Sequence, residues 1–308
     1  MDKSSYFNSR ALFIGYGLSL LFKMSHHDIL FSILLGFVLG LIFLFAFNNK
    51  KDYKLIKFVT TILLSVIVFI SIINLTKTLY LENTPLVLII CFSLIVVYYI
   101  SSIKNNAWNK LTSILYVISL VMFVIIFLGL SVHIRIDYLR PIKIIDFKEV
   151  FKSSLMFFII SICPIIRLNE KDNKKEVIIR YIVSSITIFL MAFIVLSVLG
   201  EKEALLYRYP EYIVLKRIKM LDFISNVDNI LFFAIYLDLI VSLSSSIRNL
   251  DIKIPYLKVL VMFFIGAVVF VICNHSSLIN IVLKLFAFVI CSMFLLTIIA
   301  KIFLHKKT

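Results

Sequence analysis

Side chains able to do chemistry are sparse here, and three charges inside apolar runs stand out: Asp228, Asp238 and Lys284. A charge held in hydrocarbon is costly, so it marks a polar contact, an ion path or a ligand. Asp238 has apolar neighbours on both sides, Asp228 lies earlier in the same run, and Lys284 lies about two turns into the last run. At ~1.5 Å of rise per residue, Asp238 sits roughly 15 Å deeper than Asp228, whereas Asp228 and Lys284 share a depth and form a candidate pair. For Asp238 three readings stay open: proton or cation coupling, a polar contact to the first apolar segment, or an acid satisfied by serines such as Ser242. Lys284 alternatively snorkels to the membrane surface. His26, His27 and Asp28 do not read as a metal site, since neighbouring residues on a helix point about 100° apart and no third ligand is fixed. Cys91, Cys163, Cys273 and Cys291 lack paired spacing and read as small hydrophobes. Ser242, Ser244, Ser245 and Ser246 read as capping and close-packing residues. No nucleophile elbow, phosphate loop or Ser/His/Asp order appears, so the expectation is a non-enzyme with no cofactor and no metal.

The elements carrying these residues follow from composition. With 62% hydrophobic residues, 16% charged and a mean hydropathy of +1.07, a water-soluble globule is excluded. The alternation of a membrane barrel is absent, which leaves an all-α polytopic membrane protein. The net charge of +15 comes from Lys and Arg at the ends of apolar runs, without a basic stripe for nucleic acid. Ten apolar segments are expected, at 11–22, 29–48, 56–76, 85–102, 111–132, 153–166, 178–199, 223–246, 256–274 and 278–300. They divide five plus five: a first repeat over 1–132, a polar extracytoplasmic linker over 133–147, and a second repeat over 148–308 ending in a cytoplasmic tail. The first and sixth are short and interrupted, by Gly15 and Gly17 in one and Pro164 in the other, and span roughly 18 and 21 Å against about 30 Å of hydrocarbon. Such segments at matching positions of two halves point to the binding site of an inverted-repeat transporter fold. Loop Lys and Arg residues favour both termini inside, which places Trp108 at the inner interface. The stretch from Leu205 to Leu215 around Pro210 reads as a short interfacial helix, either a cover or a gate. The basic, apolar N-terminus lacks a small-residue cleavage site after Lys23, so an uncleaved first helix is expected.

Several stretches resemble the spore germination permease family, the B-type subunits of nutrient germinant receptors, within the amino acid/polyamine/organocation transporter superfamily. Phe13-Ile14-Gly15-Tyr16-Gly17-Leu18 is similar to the family's Gln-Ile-Gly-x-Gly-Ile region, and Leu81-Glu82-Asn83-Thr84-Pro85-Leu86 to its entry to the fourth helix. Ile103 to Trp108 stands where the family has a short basic turn, Asn109 to Ile114 where the following helix starts. Tyr138-Leu139-Arg140-Pro141-Ile142 is similar to Asn-Leu-Leu-Pro-Ile, and Phe223 to Asp228 to the entry to helix eight. The likeness covers nearly the whole chain in order. It implies a ten-helix inverted repeat with helices one and six unwound at mid-membrane, the inner membrane of a spore, partners of the A and C subunit types, and a small nutrient such as an amino acid. Helix six departs from the family, passing from Ser153-Ser154 to Ser161 without its Ser/Gly-rich stretch and following Glu.

On this reading a ligand sits between the helix-one break, with backbone groups freed at Ile14, Gly15, Tyr16 and Gly17, and Ser153, Ser154 and Ser161 of helix six. Freed amides at a half-helix N-terminus favour a carboxylate. The leading expectation is a ligand-sensing membrane subunit that signals to partner subunits. The alternatives are a proton- or cation-coupled amino acid permease and a structural membrane subunit without ligand.

Overall fold

A computed structural model describes residues 3–46, 54–140, 146–162, 174–218, 227–250, 252, 254–275, 278, 281–282 and 284. Among the described residues all regular structure is helical. A short helix α1 (Ser4–Ala11) runs through a π-helical turn (Phe13–Gly17) into α2 (Leu18–Ser25). There follow α3 (Ile29–Ala46), α4 (Lys54–Leu79), α5 (Leu86–Ser102), α6 (Asn105–Ser131), a 3-10 turn at Ile136–Leu139 and α7 (Phe147–Ile162). The chain continues through α8 (Lys174–Leu206), α9 (Pro210–Leu215), α10 (Val227–Arg248) and α11 (Pro255–Asn274).

Runs of Leu, Ile, Val and Phe form helices here because in an apolar surrounding each backbone N–H and C=O must find its partner within the segment. Local signals set the boundaries. Pro210 and Pro255 occupy the first turns of α9 and α11, where a missing N–H costs nothing. The Asp146 carboxylate accepts the amides of Lys148 at 2.9 Å and Glu149 at 3.3 Å, capping α7. α8 bends at Gly200, whose φ of 75° glycine adopts without strain.

Among the described residues, five stretches are long and apolar enough to cross a bilayer: Leu18–Phe45, Phe58–Leu79, Asn105–Ser131, Lys175–Leu206 and Pro255–Asn274. The first is divided at His26, whose φ of 51° leaves the right-handed helical region, so it is two helices. Large apolar side chains face outward, among them Phe92, Tyr99 and Phe263, at 68, 74 and 73% exposure. Such a surface suits lipid and not water. The chain is a helical, membrane-embedded protein.

The first segment differs from expectation. Its helix begins at Ser4, not Ala11, and continues to Ser25 through the π turn, so it is long enough to span rather than short. Sequence hydropathy ends the segment at Arg10, but this arginine is buried and paired. The sixth segment is α7, continuous to Ile162, and Pro164 lies outside the described residues. Segment ten is described only at positions 278, 281, 282 and 284.

Most of the described helices fall into two packing groups, and α6 and α9 touch both. α1, α2, α3, α7 and α8 pack on one another, and α4, α5, α10 and α11 do the same. α1 and the π turn join the groups by packing on α10, and the π turn also meets α4. Glycines permit the closest approaches. A Cβ at Gly36 would stand 2.6 Å from the Ser154 carbonyl oxygen, and one at Gly40 would stand 2.0 Å from the Tyr181 hydroxyl. The Gly36-x-x-x-Gly40 spacing therefore docks α3 against both α7 and α8.

Candidate functional site

α1 is polar yet enclosed: Ser5, Asn8, Ser9 and Arg10 are all buried. Helical spacing divides these groups among three neighbours. Ser5 and Ser9 face α8, where Arg180 donates to Ser5 at 3.5 Å and Ser9 donates to Ser184 at 2.6 Å. Asn8 faces α10 and donates to Ser245 Oγ at 2.9 Å. Tyr6 and Arg10, one turn apart, face α6 and α10. The Arg10 guanidinium lies 2.6 Å from Asp238 Oδ2, with both side chains almost fully buried. Arg10 also donates to the Tyr6 hydroxyl, which stands 3.3 Å from Ser119 Oγ, and its guanidinium lies over the Tyr6 ring at 5.3 Å. Arg10 and Asp238 thus serve as each other's counter-charge, the condition under which such groups persist away from water.

Immediately after Arg10 the helix widens. The Gly17 amide donates to the Leu12 carbonyl at 2.9 Å across five residues, and a Cβ at Gly17 would lie 2.5 Å from that oxygen. Glycine is what lets the π turn close. The turn keeps its hydrogen bonding, so the Gly17 amide is not freed for a ligand as expected. π turns inside α-helices are frequent at functional sites.

A small, partly open cavity of about 40 Å3 adjoins this turn. Arg10, Phe13, Ile14 and Leu18 line it from the first helix, Phe123 from α6, Thr187, Ile188 and Met191 from α8, and Glu211 from α9. One cation and one anion in apolar walls are typical of small-molecule sites.

Glu211 is held in place by its element. α9 has Pro210, Glu211, Tyr212, Val214 and Leu215 buried, so it is a wedge inside the protein rather than an amphipathic cover. The Tyr212 hydroxyl donates to Asn229 Oδ1 at 3.2 Å. Arg217, just beyond α9, donates to the Val198 carbonyl at 2.9 Å and to Glu203 at 2.7 Å. Burial pushes the neighbouring Tyr209 phenol above its ordinary pKa, keeping it neutral.

Of the residues expected to hold a ligand, Ile14 lines the cavity. Gly15 and Tyr16 lie within the π turn, where the Tyr16 side chain is outside the described residues. Ser153, Ser154 and Ser161 are fully buried but lie at helix contacts away from the cavity. Ser153 donates to Ser25 Oγ at 3.2 Å and Ser154 to the Phe151 carbonyl at 2.7 Å; Ser161 donates to the Phe158 carbonyl and lies 3.3 Å from the Tyr181 hydroxyl. Asp238 meets the first helix, one of its three open readings. The Asp228 side chain is outside the described residues, and with it the test of a pair with Lys284, which is exposed. Among the described residues no cluster fit for a metal ion occurs.

Trp108 is buried beside Tyr6, Phe7 and Val241, and the Arg248 guanidinium lies over its ring at 5.2 Å. The serines of α10 are likewise interior, where Ser245 receives Asn8 and Ser246 donates to the Ser242 carbonyl. Arg10 and Glu211 were not singled out from sequence. Helical spacing through Ser5, Asn8 and Ser9 and a lone Asp238 in need of a cation pointed to the first; nothing local marked the second. No protein-family model and no curated protein sequence matches the chain.

Proposed function

We propose that this chain is the integral membrane subunit of a spore nutrient germinant receptor, sensing a small nutrient of the amino acid type and signalling to A-type and C-type subunits. The observation that carries the ligand-sensing part is the cavity at the π turn with Arg10 and Glu211 on its wall. A guanidinium has five N–H donors, more than Asp238 and Tyr6 use, and suits a carboxylate. Glu211 suits an ammonium group, and Phe13, Leu18, Phe123 and Met191 suit an apolar side chain. Binding there would bear on α1 and α9 together, and a ligand that favours one arrangement of these elements shifts the population that partners read.

The packing supports the ten-helix, five-plus-five part of this reading. Counting the α1–α2 segment as helix one, α3 packs on α7 as α8 packs on α1 and α2, and α5 packs on α10 as α11 packs on α4. These are the contacts that an exchange of halves would interchange. In this arrangement both termini are cytoplasmic, and the membrane is the spore's inner membrane.

Two measurements test the reading. Deleting the gene is expected to abolish germination to one nutrient class; unchanged germination across a nutrient panel would sink it. The purified full-length protein is expected to bind one member of an amino acid panel in calorimetry, with Glu211→Gln weakening it about tenfold, the loss of one charge-assisted hydrogen bond. The buried Arg10–Asp238 pair favours a second reading, a proton- or cation-coupled permease. Uptake of labelled amino acid into vesicles holding this protein alone would select it.

A further inference from the structure

Away from the cavity, three helices bring cations to one end of the molecule. Arg248, at the end of α10, donates to the Ile103 carbonyl at 2.6 Å and the Ser101 carbonyl at 3.4 Å, satisfying acceptors that the end of α5 leaves open. It also donates to Asn105 at the start of α6 and stacks on Trp108. Lys258 of α11 reaches the same turn of α5, donating to Ser102 Oγ at 3.0 Å and lying 5.6 Å over the Tyr98 ring. Lys104 directly precedes α6 and is exposed, as is Lys110 one and a half turns on.

Lys258 is thus a second cation at a helix end whose half-charge Arg248 already meets. Among the described residues, Lys104, Lys110 and Lys258 form no salt bridge. The excess lies beside an outward apolar surface. Tyr99 is 74% exposed and Tyr256 84%, at the level of the cations, with Phe92 and Phe263 farther along α5 and α11. α5 and α11 run together there without a gap, since a Cβ at Gly266 would stand 2.9 Å from Leu94.

We propose that this end binds the phosphate headgroup of an anionic phospholipid, with its acyl chains along the exposed face of α5 and α11. Lys258 and Lys104 supply the charge, Arg248 fixes the α5 end against which Lys258 is set, and Tyr99 and Tyr256 sit at headgroup level, where aromatic rings with one polar tip are stable. Basic pockets between transmembrane helices recognise headgroups in this way. A phosphate ester on an apolar chain satisfies cation and apolar surface together; a free anion satisfies only the first.

The test uses the purified full-length chain in neutral detergent, titrated with phosphatidylglycerol, with phosphatidylcholine and with inorganic phosphate, and read by native mass spectrometry and thermal shift. Phosphatidylglycerol is expected to be retained and to raise the melting temperature, and the other two are not. Lys258→Gln and Lys104→Gln are each expected to weaken retention about fivefold, as for one surface charge. Lys77→Gln, an exposed lysine at the opposite end, is expected to change nothing. Equal retention of both lipids, a phosphate shift matching that of the lipid, or unchanged retention in the Lys258→Gln/Lys104→Gln double variant while it remains folded would each overturn the proposal.

Discussion

At the residue scale, one interaction governs the interior. Arg10 and Asp238 are each unaffordable alone in an apolar core and tolerable together. Asp238→Asn or Arg10→Gln strands the remaining charge and is expected to cost about 3–5 kcal/mol, seen as a fall in melting temperature of the purified protein. The double variant Arg10→Met/Asp238→Leu removes both charges and is expected to recover most of that loss. A double variant as unstable as the sum of the singles would mean that the pair has no mutual energy. Sequence alone marks Asp238 as costly but misreads Arg10 as a boundary. Hydropathy prices each residue as though isolated, and the group that offsets Arg10 lies in a helix made much later in the chain.

At the element scale, the helices were legible and their engagements were not. Segments 29–48, 56–76, 85–102 and 256–274 coincide closely with α3, α4, α5 and α11 because uninterrupted apolar residues leave no other structure in lipid. Gly15 and Gly17 locate the disturbance in helix one correctly, but glycine says only that the backbone departs from an ordinary helix, not whether it unwinds or widens. The serines of α7 carry the same ambiguity, since a small polar residue in a membrane helix suits a ligand and a neighbouring helix equally. The glycine seam of α3 is testable. Gly40→Ala would drive a methyl group into the Tyr181 hydroxyl and is expected to destabilise by about 1–3 kcal/mol. Adding Tyr181→Phe removes that hydroxyl and is expected to restore part of the melting temperature. An unchanged melting temperature in Gly40→Ala would mean that α3 packs less closely on α8.

At the scale of the whole molecule, the ends are chemically distinct. One gathers Lys104, Arg248 and Lys258 around the end of α5. The other gathers His26, Glu201 and the Ile136–Leu139 turn, with His26 Nδ1 3.5 Å from Glu201 and His27 Nε2 3.2 Å from the Tyr138 carbonyl oxygen. α6, 27 residues and roughly 40 Å long, leads from the first end to the second. With the four native cysteines replaced, Asn105→Cys and Asp137→Cys are therefore expected to react with an impermeant thiol reagent from opposite faces of sealed vesicles. Labelling of both from one face would contradict α6 as a membrane span.

The polar character of α1 also bears on how the protein is made. α1 emerges from the ribosome before α8 and α10, yet Ser5, Asn8, Ser9 and Arg10 find their partners on those two helices, as in the Asn8–Ser245 bond. A helix start carrying an arginine gains little from entering lipid by itself. Its final seating must therefore wait for translation of the last third of the chain. A nascent chain halted before α10 should leave Ser4–Ala11 open to protease at the bilayer surface, and the completed chain should shield it.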